Sequence, residues 1–296
     1  MTSPRRILIT GGQGRLARVA APLFTDAGWD VVAIGREGLD VTDRQGVARA
    51  VSDLRPDTVL NLAAWTNMTA CERDPHGARR VNTLGVRHVA EAARAVGAHL
   101  CQISSDYVFD GTKADGPYAE TDRTSPISVY GETKRDGELE AGDGTTIVRT
   151  AWMSGPFAPN VVHAAVAQAA DPDAELRFVD DQRGSPTAAA DLVRALIPLV
   201  RERVAGLFHI TNAGSASWFD IARVAIEAAG HDPERVRRAT SAEIEPHLLG
   251  LRPRYSVLGS TALQRSSIPA PPPWEPSFAR LARELRTAAT VPPPPG

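Results

Sequence analysis

The sequence predicts an α/β fold on a doubly wound parallel sheet, and three observations carry that expectation. A short apolar strand, Arg6-Ile7-Leu8-Ile9-Thr10, runs directly into a glycine-rich loop and then an amphipathic helix. Strand-like and helix-like segments alternate from there to Ser105, the order that lays successive strands parallel with helices on both faces. The run from Asp57 to Ala64, DTVLNLAA, is almost continuously apolar, as a strand covered on both faces must be.

The loop after the first strand is Gly11-Gly12-Gln13-Gly14-Arg15-Leu16-Ala17, followed by the helical segment LARVAAPLFTDAG, which ends at Gly28. In that setting a G-x-x-G-x-x-A loop lets backbone N–H groups and a helix N-terminus approach a pyrophosphate, the dinucleotide-binding arrangement of a Rossmann-like fold. Gly11, Gln13, Gly14, Arg15 and Leu16 are therefore expected at a cofactor. The second strand, Trp29 to Ile34, ends at Gly35-Arg36-Glu37, where such folds read the adenine ribose. Arg36, with Arg15 on the same side, suits the 2′-phosphate of NADPH, while Glu37 leaves NADH open; a solvated loop charge is the plain alternative for Arg36.

Leu39-Asp40-Val41-Thr42-Asp43 is expected as a short third strand entering a helix capped by Thr42 or Asp43. Asp40, beside Val41, is either an acceptor for an adenine amino group or only a cap. DTVLNLAA then opens into Trp65-Thr66-Asn67-Met68, a loop at the carboxyl end of the sheet, where ligands of open α/β sheets bind. A helix from Arg79 to Val96 and the strand HLCQIS follow. Further on come a strand at Thr145 to Thr150, a helix at Val161 to Ala170 and a strand at Glu175 to Val179. After the loop Asp181 to Thr187 the pattern gives a helix at Ala188 to Val204, a strand at Gly206 to Thr211 and a helix at Ser217 to Gly230 capped by Ser217. Pro271 to Pro273 mark a break before a last helix at Ser277 to Thr287, and the terminal VPPPPG is expected to be a disordered tail. The simplest division is a cofactor domain of about the first 150 residues, to which segments of about 180–215 return. A smaller, interleaved C-terminal α/β substrate domain would cover 151–290, with 291–296 as tail.

Composition narrows the function classes. A chain of 296 residues with 43% hydrophobic and 23% charged residues is an ordinary globular protein, and a net charge of −2 offers no basic surface for nucleic acid or anionic membrane. No apolar run reaches the length of a membrane span, and MTSPRRILIT lacks a signal-peptide core. Cys71 and Cys101 make neither a disulfide framework nor a metal-ligand spacing, which fits a reducing, cytoplasmic setting. The expected oligomeric state is a monomer or a homodimer.

The chemistry is concentrated between Ile103 and Lys134, in ISSDYVFDGTKADGPYAETDRTSPISVYGETK. Tyr130 and Lys134 are one helical turn apart and share a face, in a chain with four tyrosines and only two lysines. A lysine ammonium next to a phenol stabilises the phenolate, so Lys134 is expected to lower the Tyr130 pKa and make it a usable proton donor. Ser105, at a strand end upstream, could hydrogen-bond a substrate oxygen. With a nicotinamide site this constellation implies carbonyl/alcohol hydride chemistry: the cofactor carries the redox step, Tyr130 protonates the alkoxide and Lys134 holds the nicotinamide ribose.

These blocks also carry a resemblance. TGGQGRLA, LDVTD, NLAAWT, ISSDYVFDGTK, GPYAETD, SVYGETK, IVRTAWM, FVDDQRGSPT and RPRYSVL, in this order from about Ile7 to Leu258, resemble the dTDP-4-dehydrorhamnose reductases of the extended short-chain dehydrogenase/reductase superfamily. The resemblance implies NAD(P)H-dependent reduction of a dTDP-linked 4-keto-6-deoxysugar, with Ser105 standing where the family usually has threonine and Tyr130 and Lys134 completing the triad. It places Ala63, Ala64 and Trp65 at the cofactor. Thr66, Met68, Asp106, Tyr107 and Trp152 fall on the substrate side, with the Trp152 ring packing on the sugar. TNMTACE departs from the family's TxVDxAE, so Asn67, Met68 and Thr69 alter a wall near the sugar. No carboxylate cluster is present to carry over the metal-bridged dimer of some relatives. Three rival readings remain: a ketoreductase of an antibiotic-sugar pathway, a non-catalytic NADP-binding subunit like the regulatory partners of methionine adenosyltransferase, and an epimerase or dehydratase. The intact triad opposes the second, and the lack of a glutamate after Asp106 opposes a dehydratase.

Overall fold

The computed structural model describes residues 4–157, 159–248 and 251–290. Its first half alternates β1 (Arg6–Thr10), α1 (Arg15–Asp26), β2 (Asp30–Ile34), α2 (Arg44–Leu54) and β3 (Thr58–Asn61). A helical stretch follows, made of α3 (Met68–Arg73), α4 (Pro75–Arg79), a π-helical turn at Arg80–Leu84 and α5 (Gly85–Val96). Then come β4 (His99–Ser105), α6 (Val129–Ala141) and β5 (Thr146–Thr150). The second half holds β6 (Met153–Ser154), α7 (Val161–Ala169), β7 (Arg177–Val179), β8 (Thr187–Ala188), α8 (Ala189–Glu202), β9 (Gly206–His209) and α9 (Trp218–Ala228). It ends with β10 (Arg237–Ala239), α10 (Ser241–Ile244), α11 (Thr261–Gln264) and α12 (Trp274–Thr290).

Six strands form the central sheet in the order β2-β1-β3-β4-β5-β9, all parallel. The doubly wound sheet expected from the sequence is therefore present, and the late strand β9 returns to its edge beside β5. Helices α1 and α8 cover one face with Leu16, Ala20, Leu192 and Leu196 against Ile7, Ile9 and Leu60. Helices α2 and α5 cover the other with Val47, Val51, Val86 and Val89 against Leu8 and Val59. Each fully buried aliphatic side chain contributes about 2 kcal/mol by leaving water. A separate core joins α7, α9 and α12 through Val162, Ala165, Ile221, Ala225 and Phe278. The small sheets β10-β7 and β6-β8 lie outside the main one.

One expected strand is absent. Leu39 to Asp43 forms a turn: the Asp40 carboxylate accepts from the Thr42 N–H at 2.9 Å and its hydroxyl at 2.8 Å, and the Asp43 N–H donates to the Asp40 carbonyl at 3.0 Å. Leu39 and Val41 alternate like strand residues because both are buried in the core under α2 and α5. The Asx-type turn satisfies the local backbone without a ladder. Asp43, not Thr42, caps α2. The last helix begins at Trp274, three residues earlier than expected, because the Pro272 carbonyl and the Trp274 N–H both bond Ala213 and fix its entry. The expected tail at 291–296 lies outside the described residues. No helix among the described residues is long and apolar enough to cross a membrane.

Register aligns polar side chains at the carboxyl ends of the central strands. Thr10 pairs with Asn61, and Asn61 with Gln102. The Thr10 hydroxyl donates to Asn61 Oδ1 at 2.5 Å, and Asn61 Nδ2 donates to Gln102 Oε1 at 2.6 Å. Asn61 of this buried row lines a large cavity.

Candidate active site

The cavity, about 890 Å³, opens above the carboxyl ends of β1, β3, β4 and β5. Its cofactor-side wall begins at the glycine loop. Gly11 turns the chain with φ of 63°, and a β-carbon on Gly12 would lie 2.7 Å from the backbone of Ala33 and Ile34. Gly14 is the N-cap of α1 and supplies no side-chain cap, so the first N–H groups of the helix are left for an anion. These features fit a dinucleotide pyrophosphate. Gln13, Gly14, Arg15, Leu16, Ala63 and Ala64 all line the cavity.

Five residues expected at the cofactor do not line it. Gly11 lies beneath the wall against Ala63. Arg36 projects from the end of β2 with its side chain 82% exposed and pairs with Asp40 at 3.4 Å. The Asp40 carboxyl is held below the usual carboxylate range, chiefly by the Thr42 N–H, so its position is set within the chain. Val41 is buried, its carbonyl bonded to the His88 ring at 2.9 Å. Trp65 also stands outside the lining, clamped by Asn82, whose Oδ1 accepts from the Trp65 N–H at 2.8 Å and whose Nδ2 donates to its carbonyl at 2.9 Å. Asn82 comes from the π-helical turn, a local irregularity of a kind that often re-aims side chains at functional sites. Nothing in the sequence pattern distinguished it.

Ser105, Tyr130 and Lys134 converge on the opposite wall. Ser105 closes β4, and its hydroxyl accepts from the Tyr107 N–H at 3.2 Å, which starts a single 3-10 turn. Ser128 caps α6 by accepting from Gly131, and Glu72 of α3 accepts from the Val129 N–H at 2.7 Å. So held, α6 presents Tyr130 and Lys134 on one face toward Ser105. Tyr107 meets Tyr130 edge to face with centroids 5.6 Å apart.

Electrostatics at this wall differ from the sequence expectation. Burial pushes the Tyr130 phenol above its ordinary value, and the neighbouring Ser105 hydroxyl opposes the rise. Lys134 makes no hydrogen bond to the phenol. Its Nζ donates to the Ile103 carbonyl at 2.7 Å, and burial, opposed by Glu138, brings its pKa down to about 8. An amine so poorly solvated loses its charge readily, and its one hydrogen bond goes to the strand.

The substrate-side wall carries Thr66, Met68, Asp106, Tyr107 and Trp152. Two of these are held by other parts of the chain. Asp106 is only 1% exposed, and both carboxylate oxygens are already bonded, one to the Ser105 hydroxyl at 3.0 Å and one to the Ser256 hydroxyl at 2.6 Å. It supports the wall instead of presenting a free carboxylate. Trp152 has one ring face covered by Trp218, stacked at 3.8 Å with an interplanar angle of 5°, and its edge rests against Gly184. Only what remains of the indole is open to a ligand.

Trp218, Glu245, His247 and Arg252 complete the wall and were not singled out. Arg252 donates to the Tyr107 hydroxyl at 3.3 Å and pairs with Glu245 at 3.0 Å. The available signals were the RPRYSVL block, which contains Arg252, and the tryptophan directly after the Ser217 cap.

Comparisons with known proteins agree with this geometry. A family model described as the RmlD substrate binding domain matches residues 5–287. The chain is 45% identical to a dTDP-4-dehydrorhamnose reductase of Streptomyces griseus over 86% of its own length and 85% of the relative's. It is 42% identical to a dTDP-4-keto-6-deoxy-D-glucose reductase of Streptomyces niveus, over 89% and 91%. Among solved structures it is similar to a dTDP-4-dehydrorhamnose reductase from Bacillus anthracis in complex with NADP. There the TM-score is 0.89 and the identity 30%, with 95% of this chain and 99% of that one covered.

Proposed function

The chain belongs to the RmlD substrate binding domain family, and from that premise we propose that it is an NADPH-dependent oxidoreductase. Its substrate is the 4-keto group of a dTDP-4-keto-6-deoxysugar, dTDP-4-dehydro-L-rhamnose giving dTDP-L-rhamnose as the first reading. One observation carries it: Ser105, Tyr130 and Lys134 meet the glycine loop in a single cavity at the carboxyl edge of the sheet. A binding module would need the loop but not the proton-handling trio, which speaks against a non-catalytic subunit.

The bound nicotinamide would supply hydride to the carbonyl carbon. This chain's residues do the rest. Tyr130 donates its phenol proton to the oxygen that becomes an alkoxide. Ser105 stands beside that phenol on the same cavity wall. Lys134, anchored on Ile103, stands where it can reach a ribose hydroxyl and replace the lost proton. The uncapped start of α1 and the glycine cradle take the pyrophosphate. Arg36 at the end of β2 meets the 2′-phosphate. Trp152 and Trp218 form a flat apolar wall for the sugar. The protein is a monomer or homodimer of the cytoplasm in this reading.

A second reading is favoured by the similar identity to the Streptomyces niveus enzyme and by the cavity wall of Asn67, Met68 and Thr69. In it the product sugar belongs to an antibiotic pathway. A panel of dTDP-4-keto-6-deoxyhexoses offered with NADPH or NADH separates the two. Cofactor oxidation and the product's configuration at C4 are the readouts, and no oxidation with any member would sink both.

A further inference from the structure

Ser256 belongs to the RPRYSVL segment, to which the reading above assigns no chemistry. The segment lies against the loop that precedes β8 at two points: the Ser256 N–H donates to the Arg183 carbonyl at 2.8 Å, and the Leu258 N–H donates to Ser185 at 3.0 Å. Ser256 itself is fully buried, and its hydroxyl donates to Asp106 across 150 residues of chain. Asp106 in turn accepts from Ser105.

A hydroxyl has one proton to give. Ser105 spends it on Asp106 and accepts from the Tyr107 N–H, so it has no proton to offer Tyr130, with which it shares the cavity wall. On the reductase reading, on which this inference rests, that direction decides which partner directs the phenol proton. We propose that Ser256 is a positioning residue of the reaction: by pinning Asp106 it fixes the direction in which the Ser105 hydroxyl donates, and so the orientation of Tyr130. Without that pin the carboxylate can turn away or take a proton. A protonated Asp106 can donate to Ser105, and the serine proton then swings toward Tyr130.

The groups around Asp106 limit the alternatives. Tyr107 and Tyr130 face it, Cys71 of α3 acts on Tyr130, and the Arg252–Glu245 pair stands beyond Tyr107. Burial raises the Asp106 pKa to about 6, while Ser256 and Ser105 pull it down. Its two hydroxyl donors thus favour the ionised carboxylate against the effect of burial.

The test compares wild-type protein, Ser256→Ala and Ser256→Thr with NADPH and the sugar that turns over. Ser256→Ala should lose roughly tenfold in kcat at pH 7, the size of one charge-assisted hydrogen bond. Its acid limb should move to higher pH, KM should change less than kcat, and Ser256→Thr should recover most of the loss. Wild-type kcat and an unmoved acid limb in Ser256→Ala would overturn the proposal. A second measurement needs neither turnover nor a mutant at Ser256: isotope-edited infrared titration of wild-type protein, with Asp106→Asn identifying the band. The proposal requires this carboxyl to be ionised at pH 7.5, and a protonated carboxyl there overturns it. A wild type that oxidises NADPH with no sugar would refute the reductase reading, and the infrared result would still decide the Ser256–Asp106–Ser105 geometry.

Discussion

Gly131 and Tyr107 are in backbone contact: a β-carbon on Gly131 would fall well inside van der Waals range of the Tyr107 carbonyl oxygen. This approach seats the first turn of α6 on the end of β4, which brings Tyr130 to Ser105. Gly131→Ala would push the two apart or strain both, at a cost of about 1–3 kcal/mol for overpacking. The expected outcome is a lower Tm and a drop in kcat of at least tenfold, with NADPH affinity changed less. Unaltered kcat would mean that the helix can recede without moving Tyr130.

Lys134 gives a pH dependence with a definite sign. Its pKa falls from the ordinary 10.5 to about 8 in the folded protein. Between those values the unfolded chain binds a proton that the folded one does not, so stability rises with pH across this window. Below about pH 8 the full cost of burying the ammonium is present. Lys134→Met removes that cost, and the Ile103 carbonyl keeps a donor in Gln102 Nε2 at 2.7 Å. The variant should gain Tm relative to wild type at pH 7, and the gain should shrink toward pH 10.5. A difference that does not vary with pH would show that the amine does not titrate there.

Local patterns made most of this architecture legible, and distance along the chain hid the rest. The strand–loop–helix at Arg6 to Asp26, the run DTVLNLAA and the Tyr130–Lys134 turn are each written within a dozen or so residues. Period and glycine placement suffice for them. Leu39 to Asp43 misleads because an Asx turn can bury two alternating apolar residues as well as a strand can. The hold on Asp106 is not legible because its bond to Ser256 spans 150 positions and leaves no mark on the sequence around either residue. The same holds for Arg252 on Tyr107. The Lys134 anchor is hidden for another reason: spacing places the amine on the same face as the phenol, but only the fold shows its bond to the Ile103 carbonyl.

Arg36 is the residue on which cofactor choice should turn. It is exposed at the end of β2 and its one ion pair, with Asp40, is long at 3.4 Å, so little holds it back from a phosphate. Arg36→Ala should raise the NADPH dissociation constant by roughly tenfold, the worth of a charged hydrogen bond, and leave NADH binding nearly unchanged. Titration of both nucleotides by fluorescence measures this. Equal weakening of the two would assign Arg36 to general electrostatics and leave the 2′-position unread.

Trp152 adopts φ of 44°, a left-handed backbone that costs a non-glycine residue about 1–3 kcal/mol and persists only when its surroundings enforce it. Two features do so: the face-to-face stack on Trp218 and the close seat of the indole edge on Gly184, where any side chain would collide. The stack itself is worth about 0.5–1.5 kcal/mol, comparable to the strain, so losing Trp218 should free Trp152 to relax. A relaxed indole no longer presents a flat wall to the sugar, while Ser105, Tyr130 and Lys134 are untouched. Trp218→Ala should therefore raise KM for the sugar nucleotide by about tenfold and change kcat by less than about threefold, the pattern of lost uniform binding. Tryptophan fluorescence should shift to the red as Trp152 meets water. If kcat fell and KM held, the pair would be acting on the chemical step, and its reading as a sugar platform would have to be given up.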